Sequence, residues 1–266
     1  MRIEDLFELR GKLDKKTDTT IAIIGFFVLI SLWQAMISLK IVPESLLPSP
    51  FSVLTSFKSL HFEDELVRNS MYSIKLNMLG YLEALLISIP LGFIMGLFPV
   101  IRSATNQYIK ALRFVPLAAA TGLFIAWFGI QDNMKIQFLA ASIIVYLLPV
   151  VIQRVEDVEN VYVHTAFTMG AKKSQIISSV FVPAVLSKVL DDTRILVAIS
   201  WTYITIAEAL NMTGGIGALA VQCARKSRID KVFAVLVTIA LIGFIQDILF
   251  KKLDKVLFPH KYAQAR

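Results

Sequence analysis

The chain has 266 residues, of which 56% are hydrophobic, and its mean hydropathy is +0.67. This apolar fraction exceeds the roughly 45–50% of an ordinary soluble domain and argues against that class. A formal net charge of +7 would suggest nucleic acid as a partner, but the basic residues lie between apolar blocks without interleaved aromatic residues, so we expect none. Cys223 is the single cysteine, which excludes an intrachain disulfide bond and a cysteine metal cluster.

The apolar residues fall into six blocks, each close to the length of a membrane-spanning helix. A helix needs about 20 mainly apolar residues to cross a bilayer, and a span must be helical because lipid offers its backbone no hydrogen-bond partner. The predicted spans cover residues 20–39, 76–98, 111–128, 136–152, 195–210 and 232–250. The first lacks a small-residue cleavage site and is too long for a signal peptide, so we expect it to be retained. The predicted fold is all-α, a polytopic membrane bundle of about six transmembrane helices.

The segment between the first two spans, 40–75, is predicted to lie at the membrane surface. Pro43, Pro48 and Pro50 interrupt helical structure because each lacks a backbone N–H and restricts the residue before it. Residues 51–69 then have the pattern of an amphipathic helix. We expect this helix to lie in the interface.

Two of the spans carry small residues at four-residue spacing. Such ladders let a neighbouring helix approach closely. They comprise Ser88, Gly92 and Gly96 in the second span, and Ala118, Gly122 and Ala126 in the third.

The distribution of Lys and Arg predicts how the spans are oriented. If the N-terminus is cytoplasmic, 18 of the 27 Lys and Arg residues lie on the cytoplasmic side, as the positive-inside rule requires. The expected organisation is a cytoplasmic tail at 1–19, a transmembrane domain at 20–250 with a cytoplasmic insertion at 153–194, and a second cytoplasmic tail at 251–266. The basic residues within 211–231 go against the rule, which suggests another purpose for them.

The insertion at 153–194 contains a predicted helical hairpin. Gly170 is expected to end a first short helix, and a second is expected to begin near Ser174 and to end at Pro183. The apolar residues of the second helix recur at helical spacing and share one face. A short helix with one such face is suited to a partner's groove. The alternative is a hairpin that only lies at the membrane interface.

This hairpin resembles the cytoplasmic EAA loop of the binding-protein-dependent transport permeases. Ala166, Gly170, Ala171 and Pro183 fit the pattern of that loop, whereas His164 and Thr165 replace its usual Glu and first Ala. The resemblance implies the architecture of a type I ABC importer permease, in which the loop docks on the ATPase subunit. The residues it assigns to coupling are His164, Thr165, Ala166, Gly170, Ala171, Lys172 and Lys173.

Further motifs resemble the nitrate, sulfonate, taurine and bicarbonate branch of this family. They are Leu47-Pro-Ser-Pro-Phe-Ser-Val53, Arg113-Phe-Val-Pro116, Trp127-Phe-Gly129 with Lys135, and Arg194 with Trp201, Glu208 and Gly214-Gly-Ile-Gly217. The resemblance covers about residues 45–258, in the order of the family. It implies import of a small anion such as nitrate, sulfonate or bicarbonate, although relatives in this branch also carry thiamin-pyrimidine or riboflavin-like compounds.

The resemblance also implies the partners and the location of the chain. The partners are a second permease copy that forms a homodimer, two cytoplasmic ABC ATPases that bind ATP–Mg, and an extracytoplasmic substrate-binding protein. The location is the bacterial cytoplasmic (inner) membrane, with the lipid bilayer around the spans. The chain itself has no G-x-x-x-x-G-K-[ST] phosphate loop, and its three histidines have no ligand spacing. We therefore predict no cofactor, metal or catalytic residue on this chain, which would not be an enzyme.

The candidates for the translocation path lie in the fifth span, and those for the outer loop lie directly after it. Trp201, Tyr203 and Glu208 are predicted for the path, because an ionisable group near a span usually faces the bundle interior or water. Glu208 could instead brace the glycine-rich turn or lie solvated at the outer interface. The predicted outer-loop residues are Gly214, Gly215, Gly217 and Arg225.

The basic cluster Arg225, Lys226 and Arg228 has three open interpretations. It could attract anions to the mouth of the path, pair with an acidic face of a binding protein, or be a solvated surface.

Two rival functions remain open at this point. An ATPase-independent channel or secondary transporter would be expected to show internal repeats and charged pairs within the membrane, and the sequence suggests neither. An integral membrane enzyme would need clustered catalytic polar residues, which are also missing.

Overall fold

The computed structural model describes residues 11, 13–259 and 261, and every regular element within them is helical. Predictions for residues 1–10, 12, 260 and 262–266, which include most of the N-terminal tail and part of the C-terminal tail, lie outside the described residues. The helices are α1 Lys15–Ser38, α2 Pro50–Phe62, α3 Leu66–Leu97, α4 Pro99–Leu112, α5 Thr121–Phe128, α6 Asp132–Glu156, α7 Asn160–Thr168, α8 Lys173–Ile176, α9 Val182–Asn211, α10 Ile216–Arg225 and α11 Ile229–Leu257. A 3-10 turn, Leu117–Ala120, leads into α5, and a π turn, Ile177–Phe181, joins α8 to α9.

The helices confirm the predicted polytopic membrane bundle. Four of them, α1, α3, α6 and α11, are each long and apolar enough to cross a membrane. Two bent pairs bring the number of spans up to six if each counts as one: α4 with the 3-10 turn and α5, bent by 85°, and α8–α9 with α10, bent by 55°.

Several helix boundaries differ from the predicted spans. The third span is not a straight helix over 111–128, because the chain turns sharply before Pro116, which lacks an N–H and restricts its neighbour. The helix of the fifth span begins at Val182 rather than at 195. Similarly, α1 begins at Lys15 and α11 runs to Leu257. These helices extend beyond their apolar blocks because hydropathy records only the part that meets hydrocarbon.

The small-residue ladder of the second span packs closely against α6, which confirms the prediction for Gly92 and Gly96. A Cβ atom added at Gly92 would lie 2.6 Å from Val151 Cβ, and one added at Gly96 would lie 2.6 Å from Val155 Cβ. Only glycine lets α3 and α6 approach this closely along their length.

The ladder of the third span has no helix packed against it within the subunit, so its close approach to another helix stays a prediction. Ala118, Gly122 and Ala126 are all exposed, and nothing lies within 4 Å of a Cβ atom added at Gly122. The face of α5 that does pack carries Phe124, whose ring contacts Phe138 of α6.

The predicted interfacial helix over 51–69 is shorter than expected. It ends at Phe62, and Glu65 adopts a left-handed conformation with φ of 52° before α3 begins. Lys231 of α11 holds this turn through an ion pair of 2.5 Å to Asp64. Residues 66–69 therefore belong to the second span, because the tertiary ion pair and the left-handed turn interrupt the amphipathic pattern.

Candidate functional site

The hairpin, which we define as residues 160–181, reverses direction at Gly170 as predicted. Gly170 has a φ of 81° and follows the last turn of α7. Its N–H donates to Phe167 O at 2.9 Å, and the N–H of Ala171 donates to Ala166 O at 3.0 Å. These two bonds form a Schellman motif, in which a residue without a Cβ atom is favoured at the left-handed position. The sequence therefore determines this reversal locally.

The second helix of the hairpin does not end at Pro183, which corrects the sequence prediction. It begins at Lys173 after Lys172, whose N–H donates to Gln175 Oε1 at 2.7 Å. It then widens into the π turn and continues through Pro183 into α9. The wider turn accommodates the missing N–H and the ring of proline, so the helix is deformed and not broken.

The residues predicted for coupling lie together on the outside of this hairpin. His164, Thr165, Gly170, Lys172 and Lys173 are exposed, whereas Ala166 and Ala171 are half-buried. Large apolar side chains of α7 are exposed beside them, with Met169 82% exposed. Thr165, Ala166 and Met169 line a groove of about 810 Å³ between α7 and the start of α9. Their role in coupling stays a prediction.

Ion pairs hold the base of the hairpin against the spans. The guanidinium of Arg154 donates to both carboxylate oxygens of Asp192, at 2.7 and 2.9 Å, and to Asp157 at 3.1 Å. A hydrogen bond from Gln153, together with Arg154, holds the pKa of Asp157 below its ordinary value. Because bidentate pairs of this kind fix direction as well as distance, α6 and α9 are held together beside the point where the chain enters the hairpin.

A second anchor near the hairpin comes from Lys261. Its Nζ donates to Asp191 Oδ2 and to Asp254 Oδ1, each at 3.0 Å, and to Ser187 O. Asp254 of α11 is completely buried, whereas Asp191 of α9 is exposed. This contact ties the end of α11 to the part of α9 that continues from the hairpin.

At the opposite end of the bundle, Glu208 braces the glycine turn, which we define as residues 212–217, from the end of α9 to the first residues of α10. Glu208 is completely buried and not solvated. Its carboxylate accepts from Ser73 Oγ at 2.6 Å and from the N–H of Gly217 at 2.9 Å. Ser73 Oγ also accepts from the N–H of Ile216 at 2.8 Å. The first backbone donors of α10 are thereby satisfied by side chains from α9 and α3.

The glycines of this turn are required by space as well as by backbone conformation. Gly215 has a φ of 102°, and a Cβ atom added there would overlap the Glu208 carboxylate. A Cβ atom added at Gly217 would overlap the backbone of Thr205. Gly214, with a φ of 140°, has ordinary space beside Tyr72. The turn can therefore close on Glu208 only with glycine at 215 and 217.

Lys135 completes this polar cluster from α6. Its buried Nζ donates to Thr213 Oγ1 at 2.9 Å, to Tyr72 Oη at 3.1 Å and to Gly214 O at 3.4 Å. The Tyr72 hydroxyl in turn donates to Asp132. The cluster thus joins α3, α6 and both sides of the glycine turn. Lys135 belongs to one of the family-like motifs, but nothing in the sequence indicated Tyr72, Ser73 or Asp132 as its partners.

The other two path candidates make contacts between helices. Trp201 is buried, and its Nε1 donates to Gln246 Oε1 of α11 at 2.6 Å. Tyr203 is half-buried, and its hydroxyl lies 3.4 Å from that of Tyr146. The side chains of Trp201 and Glu208 are therefore inside the subunit in this conformation. The assignment of all three residues to the path stays a prediction.

A charged pair connects two of the span helices, which the sequence analysis did not expect. Arg194 Nη2 of α9 lies 2.8 Å from Asp247 Oδ1 of α11, and Asp247 also pairs with Lys251 at 2.9 Å. The partners are separated by 53 residues in the sequence. Because the pair forms only when α9 and α11 pack together, the sequence did not show it.

The basic cluster near the glycine turn is mostly paired with acids. Arg228 pairs with Asp230 at 2.7 Å, and Lys226 lies 3.8 Å from Asp64. Arg225 is exposed at the end of α10. Since neighbouring carboxylates offset much of this charge, the structure weakens the interpretation of an anion-attracting cluster.

Residues 88–258 match the family of binding-protein-dependent transport system inner membrane components. The taurine transport system permease protein TauC of Escherichia coli is 27% identical over 256 residues, which are 94% of this chain and 93% of the relative. The aliphatic sulfonates transport permease protein SsuC of Bacillus subtilis is 29% identical over 233 residues, 86% of this chain and 83% of the relative.

Among solved structures, the MetNI methionine ABC transporter contains a similar chain. It superposes with a TM-score of 0.64 at 16% identity, over 72% of this chain and 95% of the other. At this identity the likeness establishes the fold, and it confirms the predicted type I importer permease architecture.

Proposed function

Because this chain belongs to the family of binding-protein-dependent transport system inner membrane components, we propose that two copies of it form the path of an ABC importer for small sulfonates. The chain is a multi-pass membrane permease of the taurine and sulfonate branch. Under the proposal, a separate ATPase binds ATP–Mg and drives the transport cycle, and a binding protein delivers the substrate. The permease has no ATPase site of its own, in keeping with its lack of a phosphate loop motif.

The observation that supports coupling to an ATPase is a set of exposed apolar side chains on α7 and directly after it. Tyr162 and Phe167 of α7 are 58% and 48% exposed, and Met169, which follows the helix, is 82% exposed. These residues lie outside the candidate spans. Clustered apolar side chains outside the membrane mark a surface that binds another protein. The motion of a bound partner would reach α9 directly, because the second helix of the hairpin continues into it, and the pair between Arg154 and Asp192 would pass the motion on to α6.

A substitution at Gly170 tests the coupling. Gly170→Pro cannot adopt the φ of 81° and loses the bond to Phe167 O, so the hairpin should lose its shape while the spans still assemble. Gly129→Pro is the matched control, since Gly129 also has a positive φ, an open surrounding and a comparable backbone bond, but lies between α5 and α6. We expect substrate-stimulated ATP turnover to be lost only in Gly170→Pro. Full turnover in that variant would contradict the coupling assignment.

The proposed orientation places both termini and the hairpin in the cytoplasm. The bias of Lys and Arg supports it, because 18 of 27 then lie on the cytoplasmic side. A green fluorescent protein fused after residue 266 should fluoresce, and alkaline phosphatase fused at the same point should be inactive. An active phosphatase would show that the C-terminus lies outside the cytoplasm and would contradict the proposed orientation.

The proposed substrate class rests on the names of the two relatives and on their coverage of nearly the whole chain. Uptake by the permease, its ATPase and its binding protein in proteoliposomes should require ATP and should accept taurine or alkanesulfonates. The binding protein should be profiled in parallel against a metabolite panel. Selective binding of a thiamin-pyrimidine or riboflavin-like compound would mean that the substrate is that compound and not a small anion. Uptake without the ATPase would indicate a channel or secondary transporter.

A further inference from the structure

Two tyrosine hydroxyls meet where α6 packs along α9. Tyr146 and Tyr203 are both half-buried, and their hydroxyl oxygens are 3.4 Å apart. Tyr146 lies about 21 Å along α6 from Asp132, counting about 1.5 Å per residue, so the pair is far from both ends of that helix. The pair therefore lies within the apolar part of the bundle.

The two phenols have more donors than the protein can satisfy. Each hydroxyl carries one proton, and a single bond between them uses only one. Among the described residues, the structure gives neither hydroxyl another acceptor. An unsatisfied O–H group is costly against hydrocarbon, which favours a position facing water or a polar solute.

A row of aromatic rings leads from the surface to this pair. Trp127, which is 66% exposed at the end of α5, lies 5.8 Å from Phe124, and Phe124 lies 5.3 Å from Phe138. Phe138 in turn contacts Tyr203, with ring centroids 5.8 Å apart. Phe124 and Phe138 are buried, so an uncharged aromatic core connects the exposed tryptophan to Tyr203.

The nearest cations of the two helices are already engaged. Arg154 of α6 pairs with Asp192, and Lys135 of α6 is bound in the cluster around the glycine turn. Arg194 of α9 pairs with Asp247. An anion at the tyrosine pair would therefore meet neutral donors. Neutral donors bind an oxyanion more weakly than cations do, and a site on a transport path must release its ligand.

We propose that the hydroxyls of Tyr146 and Tyr203 form a transient site on the path that donates hydrogen bonds to the oxyanion group of the substrate, a sulfonate. The inference rests on the proposed function and deepens it. One phenol donates to the other, and the second phenol donates to the passing sulfonate oxygen. When one hydroxyl is removed, the remaining one can still donate.

The test is uptake of taurine by the reconstituted transporter with saturating binding protein. Tyr146→Phe and Tyr203→Phe keep the aromatic ring and delete only the donor. Each single variant should slow uptake severalfold, and the double variant should slow it at least tenfold, because only then is no donor left. Tyr108→Phe, on an exposed side chain of α4, is the matched control and should transport at the wild-type rate. Wild-type uptake by the double variant would overturn the site.

A second measurement separates failure of the site from failure of the proposed substrate. The infrared difference spectrum of the purified transporter should show a shift of phenol bands on addition of methanesulfonate, and not with the neutral isostere dimethyl sulfone. The shift should be absent from the double variant. A wild-type protein that shows the shift but imports no sulfonate would retain the site and refute the substrate. Absence of the shift from the wild type would refute the site.

Discussion

The hairpin and the glycine turn, at opposite ends of the bundle, differ in where their contacts are made. The hairpin leaves large apolar side chains exposed and reverses at Gly170 through its own backbone bonds. The glycine turn is closed by buried polar side chains from three helices, with Glu208 completely buried. The difference shows that a surface awaiting a partner can form from local sequence, whereas an internal brace needs residues that are distant in the chain.

This comparison predicts that substitutions at the glycine turn affect stability, whereas those at the hairpin affect association. The largest effect is expected for Glu208→Ala. It leaves the Gly217 N–H without its acceptor and the Ser73 hydroxyl with only Asn69 O, which should cost about 3 kcal/mol of unfolding free energy. Thermal unfolding in detergent, followed by tryptophan fluorescence, measures the change. Glu159→Ala at the exposed start of α7 is the control and should change stability by less than about 0.5 kcal/mol.

The next effect compares two glycines with positive φ. Gly215→Ala places a Cβ atom against the Glu208 carboxylate and should cost about 2 to 3 kcal/mol, as overlap adds to backbone strain. Gly170→Ala meets open space and should cost only about 1 kcal/mol from its left-handed conformation. The same unfolding measurement applies to both. Equal losses would show that crowding at the glycine turn contributes nothing.

A smaller effect is expected from the anchor at Lys261. Lys261→Ala removes bonds to α9 and to the buried Asp254, and should lower the unfolding free energy by about 1 kcal/mol. Lys261→Arg should restore part of it because the charge is kept. Lys252→Ala, on an exposed position of α11, is the control. A Lys261→Ala protein as stable as this control would show that the contacts of Lys261 do not stabilise the fold.

The smallest effect on stability is expected for Phe167→Ala. Because the side chain is already exposed, unfolding should change by less than about 0.5 kcal/mol. The affinity for the ATPase subunit should instead fall about tenfold, or about 1.4 kcal/mol, if the ring is buried in the complex. Co-purification with a dilution series of the ATPase measures this. Phe51→Ala on α2, also exposed, should leave that affinity unchanged, and a loss in both variants would argue against a specific hairpin contact.

Local sequence patterns predicted the spans and the reversal at Gly170, but not the continuation through Pro183. The apolar blocks indicate helices because lipid leaves no other backbone geometry satisfied. Gly170 marks a turn because the left-handed position of a Schellman motif favours glycine. Proline usually ends a helix, and the π turn that carries the chain past it depends on packing that no local pattern records.

The sequence by itself determined the class of the protein, the approximate number of spans and the glycines of the two turns, since these follow from hydropathy and from the conformational range of single residues. Only the tertiary structure decided what Glu208 binds. Ser73 is 135 residues away in the chain and reaches the carboxylate because α3 packs against α9, where Asn77 also donates to Ser200. Hydrogen-bond partners from different helices are set by the distance between those helices and by their register. The sequence pattern of a single helix specifies neither quantity.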